Sequence, residues 1–336
     1  MAMLRLVGRR AELDLLRVVA IVGVVALHNF YDWEPTTLAI AIRFQQMAGL
    51  SVLLFFFLSG LLSRPADGHA LVVRLRRSAE LLLAWLAWGI AYILLGAVAQ
   101  KLHLLPPIRR LFSEAYPFFS FAYQLYFLVV LAVLIALQAL WLALGQLLGW
   151  SARSQTVLEL LLATALLALV VRIGWPLVPH GHFLSLYPLY GLAYLAGVLQ
   201  ARGRRFAFAL SLLTAAACLL SGTIAASAWF LIVTPLFTFL LGRLLRGLPQ
   251  RLQAPIALVS ACSGAIFLLH HPLLMPLARR FWRLFGLPDL LNYLLCMALA
   301  CALPILLVLL LRPWLFRCPW LPRLLLVQRN VFHPTP

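Results

Sequence analysis

Three ionisable residues lie in or beside one apolar stretch near the start of the chain: Asp14, Arg17 and His28. Arg17 and His28 are eleven positions apart. At about 100° per residue that is three turns plus roughly 20°, so a helix carries both on one face. Asp14, three residues before Arg17, shares that face. With a rise of 1.5 Å per residue, the Arg17 and His28 levels are about 16 Å apart along the axis. Imidazole titrates near neutral pH, so it can take a proton from a hydroxyl or accept an acyl group itself. A guanidinium lower on the same face suits a phosphate or carboxylate. A stripe of this kind fits the passage of an acyl group from a phosphate-bearing donor to a hydroxyl acceptor. An arginine at the centre of a spanning helix costs about 2.5–3.5 kcal/mol, so such residues usually face a polar cavity and act there. The purely structural alternatives are a snorkelling Arg17 paired with Asp14 and a His28 held by a neighbouring helix.

The elements that must position these residues are membrane-spanning helices. Apolar residues make up 64% of the 336-residue chain and charged residues 11%. A soluble domain carries roughly 45–50% and about 25%, and no soluble core of this size hides the excess. Spans of about 20 apolar residues are expected at ten places: 13–31, 45–63, 79–99, 117–144, 157–178, 183–200, 206–221, 223–242, 256–275 and 289–311. The net charge is +18, and Lys101 is the only lysine among 27 basic residues. These bases form short clusters between apolar runs rather than a basic domain, which excludes a nucleic-acid binder. With the N-terminus cytoplasmic, 18 of the 27 fall on the inner side and 8 on the outer. This is the bias expected of cytoplasmic loops, and it puts both termini inside. The fold class is therefore all-α, a single polytopic transmembrane domain over 1–336, with a core of about 9–312 and a cytoplasmic tail at 313–336. The basic N-terminus followed by an apolar run lacks a small-x-small cleavage site and reads as a retained signal-anchor helix.

The residues around this stripe resemble the acyltransferase 3 family of membrane-bound O-acyltransferases. Leu13-Asp14-Leu15-Leu16 with Arg17 and His28 resembles its opening motif. Leu54-Phe55-Phe56-Phe57-Leu58-Ser59-Gly60 is similar to its aromatic-rich second helix. Gln124-Leu125-Tyr126-Phe127-Leu128 and Phe267-Leu268-Leu269-His270-His271-Pro272 follow in the family's order, with Tyr126 in place of the usual Trp and Phe267 in place of Tyr. Arg74-Leu75-Arg76-Arg77 supplies the family's Arg-x-x-Arg pair, though without the proline that often follows it. The resemblance implies a stand-alone acyltransferase with acyl-coenzyme A, chiefly acetyl-coenzyme A, as co-substrate. It implies His28, Arg17 and Asp14 at the catalytic stripe and Arg74 and Arg77 at the donor. The implied acceptor is a hydroxyl of a surface polysaccharide or lipid-linked sugar of the cell envelope, with Tyr126 and His270 on the acceptor side. No metal is required, and the implied location is a multi-pass cell membrane of the bacterial inner-membrane type.

Other constellations carry less. His180-Gly181-His182 has no third metal ligand and reads as a loop. Ser263 and His270 share a helix face but stand about 10 Å apart along the axis, too far for a serine-protease pair. His270 and His271 either meet an acceptor or cap a helix ahead of Pro272. The five cysteines have no metal-ligand spacing and read as small buried hydrophobes. The rival reading is a transporter or flippase of a lipid-linked saccharide, with Arg17 and His28 along its path; coenzyme A binding separates the two.

Overall fold

The computed structural model describes residues 10–29, 38–63, 70–101, 123–174, 186–222, 225–245, 247–286, 288–318 and 320–328. Every regular element among them is helical: α1 (Ala11–His28), α2 (Leu38–Leu62), α3 (Ala70–Lys101), α4 (Tyr126–Leu147), α5 (Ala152–Ile173), α6 (Tyr187–Arg202), α7 (Arg204–Ser221), α8 (Ala226–Leu244), α9 (Gln250–Leu269), α10 (Met275–Arg283), α11 (Asp289–Leu310), α12 (Arg312–Arg317) and α13 (Leu321–Leu324). The ten expected spans correspond in order to α1–α9 and α11. His180 and His182 lie outside the described residues.

Seven of the described helices, α3, α4, α5, α7, α8, α9 and α11, are long and apolar enough to cross a membrane. Their outward faces are leucine-rich, with Leu147, Leu219 and Leu220 more than four-fifths exposed, a surface that lipid solvates and water does not. The chain is an all-α multi-pass membrane protein. The remaining three expected spans differ from this group for physical reasons. Helix α1 carries Glu12, Asp14 and Arg17 in its first two turns. In α2, Ala48–Leu62 forms a shorter apolar stretch. Helix α6 has only 16 residues and is buried almost all round, from Leu189 to Leu199. A helix apolar on every side belongs in a core, and α6 is the centre of this one.

Close approach of α2 to α6 depends on two glycines. A Cβ at Gly60 would collide with the Tyr194 carbonyl, and one at Gly197 with the Phe57 carbonyl. Small residues at a crossing let backbones meet without a hydrophobic drive between helices. A buried ion pair fixes α5 to α6, with Arg202 Nη2 2.9 Å from Glu159 Oε1 and Arg202 Nε 3.2 Å from Oε2. Helix α5 starts five residues earlier than apolarity alone suggests, because the Ser151 hydroxyl accepts the Ser154 N–H as an N-cap, and it ends at Gly174 in the left-handed conformation.

Helices α1 and α9 run parallel. Asp14 meets Ser260 at one end of the pair and His28 meets His270 at the other, so sequence rises in the same direction along both. Parallel packing of the first and ninth helices is what results when each helix from α1 onward reverses the chain. Residues 321–328, part of the expected tail, pack against the bundle: Trp88 Nε1 of α3 donates to the Leu324 carbonyl at 2.8 Å, and the Gln328 N–H donates to the Ala261 carbonyl of α9 at 3.1 Å.

Gly197→Ala is expected to cost about 1–3 kcal/mol through overpacking, seen as a lower thermal midpoint in detergent. Gly247→Ala, where nothing lies within 4 Å of an added Cβ, serves as the comparison and should be near neutral. Equal midpoints for the two would contradict the α2–α6 crossing.

Candidate active site

Pro272 shapes the histidine end of the site. Proline has no N–H, and it pushes the preceding residue into extended conformation. His271 accordingly has φ −137° and ψ 137°, and helix α9 gives way to a π-type turn over His270–Leu274. A continuing α-helix would bond the Leu268 carbonyl to the N–H of residue 272. Here the Tyr92 hydroxyl of α3 donates to that carbonyl instead. Past the break, the His271 carbonyl accepts from Gln124 Nε2, just before α4. The break thus recruits α3 and the start of α4 to hold the two histidines.

His270 Nδ1 lies 2.8 Å from the Phe267 carbonyl and 3.0 Å from the Ile266 carbonyl. Carbonyl oxygens only accept, so Nδ1 carries the proton and Nε2 of the neutral ring is an acceptor. His270 Nε2 is 2.8 Å from His28 Nδ1, so His28 Nδ1 must donate. The proton on Nδ1 leaves the lone pair of His28 on Nε2, the tautomer a base or nucleophile needs. His28 is 6% exposed and His270 fully buried. The His271 ring completes the group, its centroid 5.4 Å from that of His28. Among the described residues no group of three His, Cys, Asp or Glu side chains is arranged to hold a metal. Asn29, at the end of α1, donates to the Tyr293 carbonyl of α11 at 3.0 Å and anchors this corner from the other side.

At the other end of α1, the Arg17 Nη1 donates to Ser260 Oγ at 3.0 Å, and Ser260 Oγ donates to Asp14 Oδ1 at 2.6 Å. Arg17 and Asp14 are themselves 3.6 Å apart. The serine hydroxyl thus sits between the charges and ties both to α9. Arg17 also lines a cavity of about 650 Å³ together with Arg74 and Arg77. Arg74 is buried and donates through Nη2 to the Ser63 carbonyl at 3.1 Å, while Arg77 is exposed beside Glu80. The cavity wall also holds Gln138, whose Oε1 accepts from Tyr194 at 2.5 Å and whose buried Nε2 has no protein partner among the described residues. Further along stand Phe55, Phe127 and Phe267. Their rings touch, at 5.8 Å for Phe55–Phe127 and 5.4 Å for Phe127–Phe267, and Phe267 lies 6.2 Å from the His270 ring. The cavity therefore leads from three guanidinium groups to aromatic rings beside the histidine pair.

The arrangement brings Arg17, Arg74 and Arg77 to one cavity and His28 to His270. His270 was expected to meet an acceptor or to cap its helix; its Nδ1 donates to carbonyls at the end of its own helix, and its Nε2 meets His28. The Tyr126 hydroxyl is 2.9 Å from that of Tyr190, and the two rings are stacked. Sequence reading missed Ser260 and Gln138, and gave Gln124 no role of its own within its motif. Gln124 and Gln138 left a detectable signal, an amide within an apolar run, whereas a lone serine in α9 left none. Histidine-¹⁵N-labelled protein is expected to show His28 and His270 both as Nδ1–H tautomers, with His28 losing that preference in His270→Phe. An Nε2–H His28 in the unaltered protein would contradict the proton order.

The acyltransferase 3 family, described as an acyltransferase domain, matches residues 10–309. No curated protein and no solved structure matches the chain. With nearly its whole length matched, the chain belongs to the acyltransferase 3 family and is a membrane acyltransferase.

Proposed function

We propose that this acyltransferase takes its acyl group from acyl-coenzyme A in the arginine-lined cavity and passes it, at His28, to a hydroxyl of an extracytoplasmic glycan or lipid-linked saccharide. The observation that carries the reading is the cavity itself, with Arg17, Arg74 and Arg77 at one part and aromatic rings beside the His28–His270 pair at another. Guanidinium groups bind phosphate in forked, charge-assisted geometry, and coenzyme A carries a diphosphate and a 3′-phosphate. The unpartnered Gln138 Nε2 suits a phosphate oxygen or an amide carbonyl of the carrier arm. The excess of basic residues on the Arg17 side supports donor binding from the cytoplasm. Contact among Phe55, Phe127 and Phe267 leaves little room for a long chain, which supports acetyl as the group transferred.

In this reading His28 Nε2 removes the acceptor hydroxyl proton as its oxygen attacks the thioester carbonyl. The tetrahedral intermediate collapses, the carbon–sulfur bond breaks, and the proton passes from Nε2 to the leaving sulfur. His270 keeps the proton on His28 Nδ1 throughout, so Nε2 is always the nitrogen that reacts. If His28 is instead acylated first, the same lone pair attacks and the acceptor then takes the acyl group. Asp14 and Ser260 hold Arg17 against α9 so that its charge stays with the donor. Tyr126 and Tyr190 offer stacked rings and two hydroxyls, features suited to a sugar. Family membership does not favour the transport alternative.

The test is release of free coenzyme A from acetyl-coenzyme A by purified protein in liposomes supplied with glycan acceptors. His28→Ala is expected to lower kcat by at least about a hundredfold, the lower end of what a positioned base contributes. Arg74→Ala is expected to raise KM for acetyl-coenzyme A by about tenfold or more, the loss of one charge-assisted hydrogen bond. Folded protein that neither releases nor binds coenzyme A would overturn the reading.

A further inference from the structure

We infer that residues 321–328 form a working wall of the donor cavity, and that Leu326 is the side chain of that wall against which the donor's carrier arm is held. The inference rests on the donor reading above and extends it to a segment beyond residues 10–309, the part matched by the family.

The segment is a helix end of defined geometry. Following α13, the Leu326 N–H donates to the Arg323 carbonyl at 3.2 Å and the Val327 N–H to the Pro322 carbonyl at 2.9 Å. This pair of bonds is the Schellman closure, in which the residue after the C-cap adopts the left-handed conformation and is usually glycine. Here it is leucine, at φ 52°, the only non-glycine residue with positive φ among those described. A branched side chain in that conformation is strained, and such strain persists where the side chain is needed.

The surroundings indicate what needs it. Leu325 and Val327 turn into the core, whereas Leu326 and Gln328 line the cavity with Arg17, Ser263 and Gly264. Gly264 leaves the space that Leu326 occupies: a Cβ there would collide with the Leu326 Cβ and carbonyl. Along α9, Gly264 lies one turn beyond Ser260, which holds Arg17, and just before Phe267, which adjoins His270. Leu326 therefore stands between the level of the arginine and the level of the histidines, where the arm joining phosphates to thioester must pass. Across the cavity are Phe127, Leu128 and Leu131 of α4. The segment is held in place independently of Leu326, by Trp88 to Leu324 and by Gln328 to Ala261.

Leu326→Gly separates a wall from a brace. Glycine adopts positive φ without strain, so thermal stability should be unchanged or raised, while KM for acetyl-coenzyme A rises roughly fivefold to tenfold from lost apolar contact, with the effect on KM rather than kcat. Leu326→Trp, which fills the cavity, should abolish acetyl-coenzyme A binding in protein that still purifies as a folded species. If the unaltered protein binds acetyl-coenzyme A and both variants bind it equally well, the inference fails and the donor reading stands. A fall in stability and affinity together in Leu326→Gly would also overturn it, since that is the mark of a brace. Absence of binding by the unaltered protein would instead sink the donor reading.

Discussion

The hydrogen bond between His28 and His270 joins two helices that are far apart in sequence and parallel in space, and it determines which nitrogen of His28 carries a lone pair. Its geometry depends on Pro272. By ending the regular hydrogen bonding of α9, the proline brings His270 over its own preceding carbonyls and leaves the Leu268 carbonyl to Tyr92. In lipid an unpaired polar group costs several kcal/mol, so the break persists only because α3 and the start of α4 supply partners. A helix defect, the side chains that satisfy it and the proton order of the histidines form one connected arrangement.

The same two helices meet again at Asp14, Ser260 and Arg17, and the two contacts define the length of the site. A cation held near one end of the bundle and an imidazole held about 16 Å further along the axis make a device that works across distance. Under the proposed function, donor phosphates and acceptor hydroxyl need never share a solvent compartment. The cavity beside α1 runs from Arg17 to Phe267, whose ring adjoins His270; the two histidines themselves do not line it. It draws its walls from α1, α2, α3, α4 and α9, and also from residues 326 and 328 near the described end of the chain.

Much of this was legible in the sequence because a bilayer imposes its thickness on the chain. Ten apolar runs gave ten helices in the expected order, and the eleven-residue spacing of Arg17 and His28 gave their common face. Boundaries shifted where hydrogen bonding outweighed hydropathy, as at the Ser151 cap and the Gly174 end of α5. The convergence of Arg17, Arg74 and Arg77 on one cavity followed from types and likeness to the family, but the contact of His270 with His28 did not. Whether a histidine faces an acceptor or another histidine depends on how α9 rotates after Pro272, and that is decided by Tyr92 and Gln124 on other helices. Ser260 and Leu326 were invisible for a related reason. One is a common residue whose importance is its neighbour, and the other is an ordinary leucine until its backbone angle is known.

The most direct measurement is a structure of the protein in nanodiscs with a non-hydrolysable thioether analogue of acetyl-coenzyme A. Phosphates are expected at Arg17, Arg74 and Arg77, the carrier arm between Leu326 and Phe127, and the sulfur directed toward His28 Nε2. An analogue bound away from this cavity, or with its phosphates at the histidine end, would contradict the proposed function.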